Sequence, residues 1–155
     1  MLKPGDAAPQ IELRDHRGEQ VSPIPTDARY TVVYFYPRAD TPGCTTEACG
    51  FRDEWDAFSA ADIDVVGISD DPVDDLDAFA TKHDLPFTLL SDPDGTVAAA
   101  YDSYGEKQLF GNTVEGVFRN TYVIDATGTV VLAYEDVSPA DHAGEIREDI
   151  AALDA

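Results

Sequence analysis

Cys44 and Cys49 are the only two cysteines of the chain, and both lie in one short segment. Cys44 closes the run Pro37-Arg38-Ala39-Asp40-Thr41-Pro42-Gly43-Cys44, and Cys49 follows it by five residues. Thr41 suits a helix N-cap, and Pro42 suits the first helical position, where a missing N–H costs nothing. Cys44 then falls at the third helical residue. A sulfur there faces unpaired backbone N–H groups and the positive end of the helix dipole, and both favour thiolate over thiol. The thiolate is the reactive form, so the position suits sulfur chemistry. A buried cysteine can also be an inert small hydrophobe. The helix-start position, Thr41 and the second thiol argue against that. A metal site is a poorer fit, because two thiols without a matching Cys or His cluster do not make a zinc site.

The elements that must position this thiol are readable around it. Residues 30–36 are β-branched and aromatic throughout, which predicts a central strand buried on both faces and stopped by Pro37. A helix is expected over 42–58, with Phe51, Trp55 and Phe58 on its core face. A second buried strand is expected over 64–69. A helix opened by Asp71-Pro72 should reach Lys82, with Val73, Leu76, Phe79 and Ala80 inside. Residues 87–90 read as a short strand and 96–101 as a short helix. Residues 114–118 and 120–124 read as strand, 125–128 as a turn, and 130–134 as the returning strand. Ser138-Pro139 is expected to cap a last helix carrying Ile146, Ile150 and Leu153. Near the start, residues 11–13 and Gln20-Val21 read as a hairpin around Asp15-His16-Arg17-Gly18. The expected fold is α/β: a thioredoxin-like mixed central β-sheet flanked by helices, with an N-terminal β-hairpin. One domain is expected over residues 1–155.

Composition limits the partners. The net charge is −21, with 31 acidic residues against 10 basic ones, and only Lys3, Lys82 and Lys107 are lysines. Such a surface repels nucleic acid and anionic membranes. It suits a heavily solvated protein, and the scarcity of lysine favours adaptation to molar salt, where charges are screened within about 3 Å. The opening Met1-Leu2-Lys3-Pro4-Gly5-Asp6 lacks the apolar run of a signal peptide, and no stretch approaches the roughly 18–20 apolar residues of a membrane span. A cytoplasmic protein is expected. His16, His83 and His142 lie among polar residues and are expected to be solvated without a role.

The segment from Tyr34 to Asp53 resembles the peroxiredoxins, and within them the PrxQ branch, also called bacterioferritin comigratory proteins. The family pattern Pro-x-x-x-Thr-x-x-Cys falls on Pro37, Thr41 and Cys44. Further matches follow in the family's order: Gly67-Ile68-Ser69, Phe87-Thr88-Leu89-Leu90-Ser91-Asp92, Tyr104-Gly105-Glu106-Lys107 and Arg119-Asn120-Thr121-Tyr122-Val123-Ile124-Asp125. Tyr104 departs from the tryptophan common in the family.

The resemblance implies a thiol-dependent peroxidase that reduces hydrogen peroxide and organic hydroperoxides. Cys44 is then the peroxidatic nucleophile and Cys49 the resolving cysteine. Arg119 is the second cation, Thr41 a hydroxyl that accepts an amide bond and donates towards the sulfur or peroxide, and Pro37 a shield that narrows the pocket. Glu47 is either a partner of such groups or an ordinary first-turn acid. No cofactor and no metal are implied. A thioredoxin- or glutaredoxin-like protein would supply electrons, and a self-contained cysteine pair favours a monomer.

Physical chemistry supports these roles separately. Cleaving an O–O bond by sulfur attack leaves negative charge on the departing oxygen, which a fixed guanidinium stabilises. Five residues along an ideal helix mean a rise of about 7.5 Å and roughly 140° of rotation. A disulfide needs Cα atoms about 4.4–6.8 Å apart, so the first helical turns are expected to unwind in every cycle. Gly43 and Gly50 bracket the segment and would ease that, or serve only as turn and packing glycines. Two other functions share the fold: a protein dithiol–disulfide oxidoreductase, which usually carries Cys-x-x-Cys, and a non-enzymatic redox-sensing domain.

Overall fold

The β-branched and aromatic run starting at Tyr30 forms a strand because it can bury both of its faces. In the computed structural model, which describes residues 1–24, 27–109 and 111–153, it is β3 (Tyr30–Phe35), an interior strand of a seven-stranded sheet. The far end of the expected domain, Asp154 and Ala155, lies outside the described residues. The other strands of this sheet are β1 (Leu13–Asp15), β2 (Gln20–Val21), β4 (Ile63–Ser69), β5 (Thr88–Ser91), β8 (Thr121–Asp125) and β9 (Val130–Tyr134). Their order is β2-β1-β5-β4-β3-β8-β9. Strands β3, β4 and β5 run parallel, while β8 pairs antiparallel with β3 and β9, and β1 with β5 and β2. The expected mixed sheet and N-terminal hairpin are both present.

Alternation along β3 divides the core into two layers. Val32, Tyr34 and Tyr36 face one side, where they meet Phe51, Phe58, Leu76, Phe79, Ile146 and Ile150. These side chains come from α1 (Pro42–Asp53), α2 (Trp55–Ala60), α3 (Val73–Lys82) and α5 (His142–Leu153). Val33 and Phe35 face the other side with Ile68, Leu90, Tyr122 and the short α4 (Thr96–Ala100). Tyr34 stacks on Phe51 with ring centroids 4.6 Å apart. Its ring lies over Gly67 of the adjacent strand, where a Cβ would meet it at 2.7 Å. That close approach requires glycine at 67, whatever the local β-propensity.

Two local expectations are corrected. The helix expected over 42–58 breaks at Glu54, whose φ of −94° and ψ of 3° separate α1 from α2. Ser138-Pro139 does not cap the last helix: α5 begins at His142, and Pro139 instead packs near Gly43. That helix carries Ile146, Ile150 and Leu153 as expected, the last of them 43% exposed. Residues 104–109 form a strand that periodicity did not reveal: β6 (Tyr104–Leu109) pairs with β7 (Asn112–Val117) as a separate two-stranded sheet. That hairpin is mostly exposed and lacks the apolar alternation that betrays a half-buried strand.

The aspartates have a second use besides charge. Among the described residues, every non-glycine position with positive φ is an aspartate: Asp40, Asp62, Asp84, Asp102, Asp136 and Asp141. A short side chain that bonds its own backbone tolerates this region better than most. Part of the aspartate excess is therefore turn chemistry.

Candidate active site

The site lies where β3 ends and α1 begins. Pro37 is half-buried just past β3, and Thr41 is the N-cap of α1, with φ of −96° and ψ of 157°. Pro42 and Gly43 open the helix, and Cys44 is its third residue, 1% exposed. The first helical amide bond runs from Thr45 N–H to Thr41 O at 2.8 Å. The amides of Gly43 and Cys44 precede it, so they point out of the helix start beside the sulfur.

Arg119 reaches this point from the connection between β7 and β8. Its Nη2 donates to Cys44 Sγ at 3.4 Å, and its Nη1 donates to Glu47 Oε1 at 2.9 Å. The planar fork thus holds a sulfur and a carboxylate at once, which an ammonium group does not do in this geometry. The connection is itself pinned. Phe118 N–H donates to Ser103 O at 2.7 Å, Phe35 N–H to Asn120 O at 2.8 Å, and Val137 N–H to Arg119 O at 2.8 Å. The Asn120 side chain donates to Ser103 Oγ at 3.0 Å and accepts from Asp136 N–H at 3.0 Å.

Gly43 makes room for the guanidinium. A Cβ at that position would stand 3.1 Å from Arg119 Nη2 and 3.5 Å from Pro139 Cγ. Its first role is therefore steric. Gly50 differs, since a Cβ there would meet only Ala143 Cβ at 3.8 Å, an ordinary contact.

Glu47 is not an ordinary first-turn acid. It is 1% exposed, and its Oε2 is buried without a hydrogen-bond partner. Burial pushes its carboxyl up to about 7, against the pull of Arg119. Burial works against the Arg119 charge too, yet Cys44 and Glu47 outweigh it and hold the guanidinium above its ordinary value. The two partners respond differently because the carboxylate is fully enclosed, whereas the Arg119 side chain keeps 17% exposure. The acid–base pair costs Glu47 solvation and secures Arg119 as a cation beside sulfur.

Thr41 departs from expectation. Its hydroxyl donates to Arg38 O at 2.8 Å, and it makes no side-chain cap bond. It braces the preceding loop instead of donating to the sulfur. His142 is also corrected: it is 3% exposed, its Nε2 lies 3.0 Å from Thr121 Oγ1, and burial pushes it down to about 4. It packs edge-on between Phe51 and Tyr134. His83 meets the exposed Asp40 carboxylate at 3.5 Å, and His16 Nδ1 accepts from Leu89 N–H at 3.3 Å, so neither is merely solvated. Their sequence neighbours are polar, and only the tertiary packing encloses them.

Both cysteines are free thiols, Cys44 buried and Cys49 half-buried, within an unbroken α1. Among the described residues no group of three or more His, Cys, Asp or Glu could hold a metal ion. No described helix is long and apolar enough to cross a membrane.

A mixed sheet layered between helices, with a thiol at a helix start facing an anchored arginine, defines a thioredoxin-like thiol enzyme. Residues 4–133 match the AhpC/TSA family, and the chain belongs to it. It is 44% identical over 141 residues to the peroxiredoxin Bcp of Escherichia coli, covering 91% of this chain and 90% of that protein. Among solved structures it resembles the peroxidoxin BcpB of Mycobacterium tuberculosis, with a TM-score of 0.88, 35% identity and 99% of both chains covered. It also resembles the bacterioferritin comigratory protein of Xanthomonas campestris, studied for alkyl peroxide reduction. That match has a TM-score of 0.86 and 33% identity, covering 94% of this chain and 92% of that one. The protein is a thiol-dependent peroxidase of the peroxiredoxin type.

Proposed function

We propose that Cys44 is the peroxidatic nucleophile and Cys49 the resolving thiol. The observation that carries this reading is the single guanidinium shared between Cys44 Sγ and Glu47. The Cys44 thiolate attacks one oxygen of ROOH, the O–O bond breaks, and sulfur gains that oxygen as sulfenic acid. The other oxygen leaves as RO⁻ and takes a proton to become ROH or water. Arg119, already charged and already in place, stabilises sulfur before attack and the departing oxygen during it, with no reorganisation. Glu47 holds the guanidinium against the sulfur. Thr41 braces the loop before the helix, and Pro37 narrows access to the sulfur.

The sulfenic acid then meets the Cys49 thiol. An S–S bond forms, the S–O bond breaks, and water leaves. Ideal helix geometry keeps the two Cα atoms too far apart for this, so α1 unwinds from its start through Cys49. A thioredoxin- or glutaredoxin-like dithiol then reduces the disulfide and becomes oxidised itself. We assign hydrogen peroxide and organic hydroperoxides as substrates, a monomer as the working unit, and the cytoplasm, where thiols are kept reduced, as the compartment. Treating reduced protein with one equivalent of peroxide and mapping its peptides tests the cycle. A bridged Cys44–Cys49 peptide is expected; two free thiols after the peroxide is consumed would overturn it.

A further inference from the structure

The cycle requires α1 to be intact for attack and unwound for disulfide formation, so something must set the balance between the two. The loop between β3 and the helix start is held at one point by a buried group. Asp71, just past β4 and 1% exposed, accepts a hydrogen bond from Ala39 N–H at 2.7 Å through its Oδ2. The same oxygen accepts from Ser69 Oγ at 2.8 Å, and Oδ1 lies 3.4 Å from Arg38 Nη1. The Asp71 backbone is fixed to the sheet: its N–H donates to Ser69 Oγ at 3.3 Å, and its carbonyl accepts from Ser91 Oγ at 2.6 Å. Ala39 lies two residues before the N-cap Thr41. The loop's other ion pairs, Asp40 with Lys82 Nζ at 3.0 Å and with His83 Nε2 at 3.5 Å, and Arg38 Nη2 with Asp70 Oδ1 at 3.7 Å, each include an exposed side chain and contribute less.

We infer that Asp71 is a positioning residue whose carboxylate latches the loop at Ala39 and so favours the intact α1, with Cys44 against Arg119, over its unwound form. This rests on the peroxidase reading above. The latch bounds the moving segment on one side. On the other, Arg52 Nη1 donates to His83 O at 2.9 Å, and Arg147 Nε donates to Glu54 Oε2 at 2.7 Å. A backbone N–H bonded to an enclosed carboxylate is one of the stronger hydrogen bonds, and opening it takes one partner from a buried charge and leaves it Ser69 Oγ and Arg38. Unwinding that drags Ala39 away is therefore opposed.

The Cys44 sulfenate has two fates, and the latch divides them. In the unwound helix it condenses with Cys49 and loses water. In the intact helix it attacks a second ROOH, takes one oxygen to become sulfinate, and releases ROH. A stronger latch thus raises sulfinate yield, and with α1 already mostly intact it leaves the first attack nearly as fast.

The test compares wild type with Asp71→Ala and Asp71→Asn. Rapid mixing reads peroxide attack, mass spectrometry reads sulfinate against disulfide at fixed peroxide, and hydrogen exchange reads the amides of Thr45, Thr46 and Glu47. For Asp71→Ala, sulfinate yield should fall about tenfold and exchange should quicken by a similar factor, the effect of losing one charged hydrogen bond, while attack slows about twofold at most because α1 starts out almost wholly intact. Asp71→Asn keeps a carbonyl oxygen for Ala39 and should show about a threefold change in sulfinate yield and in exchange. It decides the matter if the alanine variant does not fold. Unaltered sulfinate partition and exchange, whatever the rate of attack, overturn the latch. Failure of the wild type to consume peroxide would instead remove the peroxidase reading on which it rests.

Discussion

Gly50→Ala isolates the unwinding step from the chemistry. The position is helical, and an added Cβ meets only Ala143 Cβ at 3.8 Å, so the substitution introduces no clash. It also lies away from Arg119, so the contact between guanidinium and sulfur is undisturbed. Alanine favours a helix over glycine by about 0.8–1 kcal/mol. If α1 must unwind around Cys49 before the disulfide can form, the unwound population falls about fivefold. Stopped-flow mixing of the reduced variant with peroxide should give the wild-type rate for loss of the Cys44 thiolate. Rapid acid quench and mass spectrometry should then show disulfide appearing about fivefold more slowly, with sulfinate rising at high peroxide. Disulfide formation at or above the wild-type rate would refute the claim that helix unwinding limits resolution.

Other perturbations separate the remaining parts of the account. Gly43→Ala should do the opposite of Gly50→Ala: its Cβ displaces Arg119 Nη2, and second-order peroxide consumption should fall about tenfold. The Glu47 carboxyl, pushed up to about 7 chiefly by burial, contributes stability that is present below its ordinary value and lost as pH rises through 7. Thermal melts of Glu47→Gln should therefore gain on wild type as pH is raised from about 4.5 to 8. His142 has the opposite sign. Pushed down to about 4 by burial, it contributes stability that is present above about 6.5 and lost as pH falls through 4. Wild type should lose melting temperature in that acid range more steeply than His142→Gln.

The sheet was legible because Tyr30–Phe35 and Ile63–Ser69 must bury both faces, and only a central parallel position allows that. The thiol was legible for the same local reason: Thr41, Pro42 and Cys44 state a helix start in four residues. Arg119 was visible only through family resemblance, since 75 positions separate it from Cys44 and nothing local distinguishes it from a surface arginine. Glu47, His142 and Asp71 look like ordinary polar residues beside their neighbours. Their burial comes from α5, β8 and the β4–α3 turn folding over them, which a one-dimensional pattern does not encode. The steric need for Gly43 was hidden likewise, because the atom it makes room for comes from the far connection.

The central claim is the division of labour between Cys44 and Cys49, and stopped-flow consumption of hydrogen peroxide by reduced Cys44→Ser and Cys49→Ser tests it most directly. The account predicts that the first variant does not react above the background of a free thiol. The second should consume one equivalent at the wild-type rate and then stall until an external thiol is added. Wild-type consumption by Cys44→Ser, or repeated turnover of Cys49→Ser with a thioredoxin-like donor at the wild-type rate, would contradict it.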